Sequence, residues 1–402
     1  MTWTMAWRNV WRNPRRTLIT ATSIMLGVML VSAMGGLGNG MTKRMVRNAT
    51  DDLAGHAQIH AATYTDTKDE TLVIEEYADV LEQARSLDDV TVATPRVLGF
   101  GILAIADRSR GVTLMGIDPK HEARTTTWDE RVVEGAYLDA PGQVMLGKYL
   151  ADKLDVELGS KMVLTAADVH TGEATTELVR VKALLHTGSV AVDRNTAIVH
   201  IEMAQKMMGL PDSAHEIVLR LGVDTRDPEV VHEAIAPLRR DGFDVEPWHE
   251  INKVVAELMK IMDVYIYIMT IVLFIILAFG IINTISMALL ERMREFGVMR
   301  ALGTSGAQLA KLVVTEAFYL GLVGAVPGIL AGLGASWLLV VYGLDFSGTT
   351  AYGMEFKDPI YGEINIFATI FAAVVFTLLT AVVSLYAAWR ASRVDPVEAM
   401  RG

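Results

Sequence analysis

ERMREFGVMRALG, residues Glu291–Gly303, sits between two of the most apolar stretches of a 402-residue chain. Lipid offers its charges nothing, and a plain solvent loop would not need Phe296, Val298 and Met299 threaded among them. What such a segment does depends on which side of a membrane it occupies and on what docks there.

Working outward, four apolar runs are long enough to cross a bilayer, which takes about 20 residues. They are Thr17–Asn39, Met262–Leu290, Leu309–Tyr342 and Ile364–Trp389. The RRTL stretch at Arg15–Leu18 hints at an export signal. The apolar run behind it nevertheless exceeds the roughly 7–15 residues of a cleavable signal, so it is expected to remain as an anchor. Lys and Arg near the span ends set orientation. Arg8, Arg12, Arg15 and Arg16 precede the first span, Arg292, Arg294, Arg300 and Lys311 separate the second from the third, and Arg390, Arg393 and Arg401 follow the fourth. The loop between the third and fourth has Lys357 against Asp345, Glu355, Asp358 and Glu363. Both termini and Glu291–Gly303 are therefore expected in the cytoplasm. The opposing cluster Lys43, Arg44 and Arg47 is outweighed, because large domains translocate with little regard to charge.

Composition agrees with a chain split between membrane and water: 51% of residues are apolar, yet the block from Asp51 to Glu250 is polar and acid-rich. With no cysteine, thiolate-held clusters, cysteine nucleophiles and disulfides are excluded. A net charge of −11 argues against a nucleic-acid partner. Within the polar block HAQIHA and GVTLMGI read as strands and EEYADVLEQARSL as a helix. HEIVLRLGV, PEVVHEAIAPLRRD and FDVEPW read as strand, helix and strand, and KMVLTAADVHTGEATTELVRVKALL as a hairpin turning near His170–Gly172. Two α/β pieces joined across a strand-rich insertion are expected. The fold class is thus an α-helical membrane protein with four transmembrane helices and a large extracytoplasmic α+β domain between helices one and two.

The junctions carry more. Ile251, Leu258, Tyr265 and Val272 repeat every seven residues, as do Val254, Ile261, Ile268 and Ile275, with no Gly or Pro between. A helix from Ile251 to Arg292 would run about 60 Å, against a hydrocarbon core of about 30 Å. Met34, Leu37, Met41 and Met45 extend span one in the same way. Two stalks under the outer domain follow. Trp3, Trp7 and Trp11, four residues apart, place indoles on one helical face at headgroup level, in contact with membrane lipids. The expected order is an interfacial amphipathic helix (1–16), span one and stalk (17–53), α+β domain (54–250), stalk and span two (251–290), and a cytoplasmic helix (291–308). Span three (309–342), an outer loop (343–363), span four (364–389) and a cytoplasmic tail (390–402) complete it.

No catalytic constellation is found. GQVMLGKY, Gly142–Tyr149, approaches a P-loop but has Tyr149 where Mg²⁺ needs a small hydroxyl. His56 and His60 read as strand residues rather than metal ligands, with no third ligand nearby. Glu316, the lone acid well inside a span, reads as an ion-pair partner near the cytoplasmic interface.

With these residues in view, the chain resembles the permease subunits of ABC transporters of the MacB, FtsX and lipoprotein-releasing (LolC/LolE) type. The order of elements, the spacing of Glu291–Gly303 and the tail RASRVDPVEAMR carry the resemblance. GHAQIHAATY and VDRNTAIVHIEMAQKMMGLPDSAHEIVLRL look most like the lipoprotein-releasing branch. The resemblance implies a MacB-like periplasmic core domain and a bacterial inner-membrane location. It implies that the segment between spans two and three docks on a separate cytoplasmic ATPase dimer, which brings the ATP and Mg²⁺, so no cofactor belongs to this chain. The implied coupling residues are Glu291, Arg292, Arg294, Glu295, Phe296, Val298, Met299, Arg300 and Leu302. A second permease, identical or homologous, completes the unit, and lipoproteins are extracted through a cavity between spans one and two. Met25, Val28, Met29 and Ser32 with Tyr265, Ile268, Met269 and Val272 are its candidate lining. The short HTGE turn at His170–Glu173 departs from the extended hook that grips a periplasmic carrier chaperone in that branch. MacB-like efflux and FtsX-like signalling are the alternatives.

Overall fold

The computed structural model describes residues 2–345, 349–351, 354–356 and 359–392. The tail from Arg393 onward, with Lys357 and Asp358 of the loop before the fourth span, lies outside them. The chain divides into two compact units: Met1–Thr42, Lys260–Asp345 and Pro359–Gly402 form one, and Lys43–Met259 with Phe346–Asp358 the other.

In the first unit a short helix, Thr2–Val10, precedes a long one, Pro14–Ala49. Pro14 opens the long helix rather than closing the short one, since a first-turn residue needs no amide hydrogen. Among the described residues, three further helices are also long and apolar enough to cross a membrane: Lys253–Glu291, Gly306–Tyr342 and Ile366–Trp389. The second begins at Lys253 because Asn252 (φ −104°, ψ 62°) leaves helical geometry, so Ile251 belongs to the preceding turn. Both unit boundaries that cut the first and second long helices, at Thr42 and Met259, fall inside unbroken helix.

Close approach holds this bundle together. Gly324, Gly328 and Gly332 recur every four residues along the third long helix, and each faces the first. A Cβ on them would stand 2.7 Å from Ile24, 2.9 Å from Val28 and 2.8 Å from Ser32. In lipid there is little hydrophobic drive between helices, so such small-residue seams supply the packing. The first helix meets the second through Gly27 against Leu277 and Gly38 against Ile266.

The second unit is α+β. Strands Ala57–Ala61, Val90–Ile105, Glu216–Leu221 and Phe243–Pro247 alternate with helices Tyr77–Arg85 and Pro228–Ile235. They pair antiparallel with Ala57–Ala61 between the last two and Glu216–Leu221 beside Val90–Ile105. This is the order of a split β-α-β sheet. Between its halves the chain inserts a closed ring of six strands. Val90–Ile105 pairs with Arg108–Ile117, that with Thr196–His200, and then in turn Gln143–Gly147, Ala174–Leu185 and Lys161–Ala167, which returns to Val90–Ile105. Closure removes edges that would otherwise recruit other chains. Leu103, Leu114, Leu146, Leu164 and Val181 are among the side chains of its core, while Ile59, Ala84, Ile217, Val231 and Ile235 belong to a second core against the two helices.

Arg96 stands where the long strand passes from sheet to ring. It pairs with Glu216 on one side and Ile117 on the other, and its side chain is 1% exposed. Nε donates to Glu122 at 3.1 Å, Nη1 donates to Glu216 at 3.0 Å, and the guanidinium lies 5.3 Å over the Trp128 ring. Burial disfavours this charge, but the two carboxylates outweigh it and hold Arg96 protonated.

Candidate coupling site

The second long helix ends at Glu291, and Arg292 (φ −108°, ψ 8°) breaks it. A separate short helix, Met293–Ala301, follows. Its end is chemically specified. Thr304 N–H donates to the Met299 carbonyl and Gly303 N–H to that of Arg300, both at 3.0 Å, with Gly303 at φ +95°. This is a Schellman stop, for which glycine is suited because the left-handed region costs it nothing. Ser305 then caps the third long helix: its Oγ accepts from Gln308 N–H at 3.3 Å, while Gln308 Oε1 accepts from Ser305 N–H at 3.0 Å. The third long helix therefore starts at Gly306, three residues earlier than apolarity alone indicates.

Phe296 turns inward. It is 1% exposed and belongs to the bundle core with Ile285, Leu289, Leu309 and Val313, and Met293 and Met299 pack on the same cluster. As a direct contact for a partner, Phe296 is thus corrected: it anchors the short helix to the bundle, with the partly buried Met299 packed beside it. Among the candidate residues, Glu291, Arg294, Val298 at 43% and Leu302 at 83% exposure face outward, the last three at four-residue intervals. Arg300 and Arg292 are partly buried.

Ion pairs fasten the same helix from two sides. Arg292 Nη1 donates to both Glu316 oxygens, at 2.8 and 2.7 Å, and its guanidinium lies 5.2 Å over Phe296. Glu316 of the third long helix is therefore bound to the residue at which the second long helix breaks. Arg12 pairs with Glu295 and Arg16 with Glu291 at 3.3 Å, so the joint between the first two helices and the opening turn of the long one grip the site as well. The hydrogen bond from Arg12 lowers the Glu295 pKa and keeps it ionised. A small cleft of about 50 Å³ beside Phe296 is lined by Thr17, Ile285, Leu289 and Val313 and by the Arg292–Glu316 pair. Trp3 and Trp7 lie 5.8 and 5.4 Å from Tyr319 and are half exposed, as is Trp11. Ala6 and Val10 are buried beneath them.

The candidate cavity is brought together only in part. Val28 and Ser32 are buried against the glycine seam of the third helix, and the Met25 backbone lies against the same seam at Gly328. A four-residue glycine repeat was the signal that places them. Met29 and Met269 are partly buried. Tyr265, Ile268 and Val272 are 57%, 50% and 42% exposed on the second helix. That helix is the least covered of the four: 6% of its apolar window is buried, against 28–33% in the others.

Elsewhere, Gly142–Tyr149 is a strand followed by the helix Lys148–Leu154, and Lys148 is spent on Glu134 at 2.7 Å. His56 accepts from Leu221 N–H at 2.9 Å and His60 is buried in its strand.

Two family models cover most of the chain. The MacB-like periplasmic core domain matches residues 17–239, and the FtsX-like permease C-terminal domain residues 267–396. Among similar proteins is the lipoprotein-releasing system transmembrane protein LolC of Neisseria meningitidis serogroup B, 25% identical over 96% of this chain and 94% of its own length. LolE of Haemophilus influenzae is 21% identical over 98% of each chain. The macrolide export ATP-binding/permease protein MacB of Syntrophobacter fumaroxidans is 29% identical over 43% of this chain and 22% of its own.

Proposed function

The chain belongs to the family of ABC transporter permeases with a MacB-like periplasmic core domain and an FtsX-like C-terminal domain, and from that premise we propose that it is the membrane subunit through which a separate ATPase drives release of lipid-anchored proteins. The observation that carries this cargo class is extent: lipoprotein-releasing relatives match end to end, whereas the macrolide exporter matches over a minor part of its own length.

In this reading both termini and Met293–Ala301 face the cytoplasm and the α+β domain faces the periplasm. An ATPase dimer seats its groove on the stripe Arg294, Val298 and Leu302, and supplies Mg²⁺ and ATP. Because Phe296, Met299 and Arg292 are fixed in the bundle, displacement of the short helix must move the spans rather than slide over them. The first and second long helices continue unbroken beyond the membrane unit's boundary and carry that movement outward. A second permease faces the open side of the second long helix, and acyl chains enter beside Tyr265, Ile268 and Val272.

The test is to purify the chain with its native partners in nanodiscs and identify bound peptides by mass spectrometry. Enrichment of acylated N-terminal peptides is expected. Non-acylated ligands alone, with lipoprotein sorting intact after deletion, would contradict release and favour MacB-like efflux. No ligand of either kind, with an ATP-dependent change in a periplasmic partner, would favour signalling.

A further inference from the structure

We infer that His232, His249 and Glu250 form a binding site for a divalent transition metal, with Zn²⁺ the best match, at the root of the second long helix. The ligand atoms of these three residues all lie within 4.8 Å of one another. His232 Nε2 stands 3.2 Å from Glu250 Oε1, and the two imidazole rings meet edge to face at 5.3 Å and 79°.

The donors come from two elements. His232 is on the helix Pro228–Ile235, whose buried Val231, Ala234 and Ile235 fix the face it presents. His249 and Glu250 are on the turn Trp248–Ile251, directly before the long helix that starts at Lys253. Trp248 pins that turn: it is 2% exposed, donates from Nε1 to the Thr225 carbonyl at 2.9 Å, and lies 5.8 Å from the His249 ring. A tetrahedral ion with ligands at about 2.0–2.2 Å sets its donors about 3.4 Å apart. The His232–Glu250 pair already has that spacing, so loading needs closure of about an ångström elsewhere.

Two imidazoles and one carboxylate suit Zn²⁺ and disfavour Ca²⁺ and Mg²⁺, which take oxygen donors. All three residues are partly exposed, which leaves a fourth position for water. One neighbour competes. Arg239 Nη2 donates to His232 Nδ1 at 2.8 Å, which places the imidazole proton on Nε2, toward Glu250. Metal at Nε2 moves that proton to Nδ1, so Arg239 must turn away into solvent. An ion here would bind the domain's last helix to the turn that feeds the long helix, stiffening the segment through which any stroke would pass. The site does not depend on the lipoprotein reading.

Sequence inspection passes over this cluster because its ligands lie 17 residues apart on separate elements. The test uses the full-length chain in detergent, free of any histidine tag and stripped with a chelator. It is titrated with Zn²⁺ against a chromophoric chelator, and with Co²⁺ while visible d–d absorption is read. One ion of micromolar or tighter affinity is expected. His249→Ala and Glu250→Gln should each weaken it about tenfold or more, Arg239→Gln should tighten it, and Zn²⁺ should raise the melting temperature of the wild type but not of His249→Ala. No binding below ~100 µM would overturn the proposal, as would equal affinity in His249→Ala and Glu250→Gln.

Discussion

Val298 and Phe296 are two residues apart and have opposite fates, which makes them a paired test. Val298→Asp combined with Leu302→Asp should abolish co-purification of the ATPase while leaving membrane insertion and melting temperature unchanged, since both side chains are outward-facing. Phe296→Ala should instead lower stability by on the order of 3–5 kcal/mol, as truncation of a buried phenylalanine does, and show as a lower melting temperature in detergent. In the α+β domain, Arg96→Ala strands Glu122 and Glu216 without their cation. Breaking a buried pair costs about 3–5 kcal/mol, readable by thermal unfolding. His215 gives a pH dependence. Its Nδ1 accepts from Leu98 N–H at 3.1 Å and its Nε2 donates to the Glu70 carbonyl at 2.9 Å, so the neutral ring is satisfied. Burial lowers its pKa below the ordinary 6.5. The unfolded chain then takes up a proton that the folded one refuses, so this stability is whole above pH 6.5 and falls as pH drops below it. The slope is at most about 1.4 kcal/mol per pH unit. Unfolding at pH 7.5 and 5.5 should show a smaller loss in His215→Gln than in the wild type. At this scale the sequence displayed which residues are present but not where they point. The wheel of Glu291–Gly303 is not two-faced, and the break at Arg292 resets its phase, so the inward turn of Phe296 could not be read. Glu316 was legible as an ion-pair partner, but Arg292 lies 24 positions away across a turn.

Between elements, the deciding features are stops and seams. The capping pair Ser305 and Gln308 and the stop at Gly303 are short-range motifs, and both stand in the sequence for inspection. Apolarity, which marks lipid contact rather than helix ends, set the third span too late. The seam at Gly324, Gly328 and Gly332 is equally legible as a four-residue period, and it packs Val28 and Ser32 against the third helix. Gly328→Leu should push the first and third helices apart at a cost of about 1–3 kcal/mol, seen as a lower melting temperature. Gly334, on the same helix with nothing within 4 Å of its would-be Cβ, is the control, and its change to Ala should have no such effect. The strands and helices of the α+β domain were visible because period-two and period-3.6 patterns are local. The closure of six strands into a ring was not, because the pairing of Val90–Ile105 with Lys161–Ala167 spans nearly sixty intervening positions and no periodicity records it.

For the whole molecule, the account rests on continuity. The second long helix, Lys253–Glu291, is 39 residues long, roughly 58 Å at the usual rise, and it joins the turn that holds Glu250 to the hinge at Arg292. A heptad stripe free of Gly and Pro from Ile251 to Ile275 made the outer part of that length legible in advance, and the break at Asn252 shows where it ends. The most direct measurement inserts a Gly-Pro-Gly tripeptide after Met259, within this helix and away from the coupling site, and follows ATP-driven release of a lipid-anchored protein from proteoliposomes containing the chain and its co-purified ATPase. The account predicts that ATPase association and ATP binding persist while release is lost. Release at the wild-type rate through the interrupted helix would contradict it.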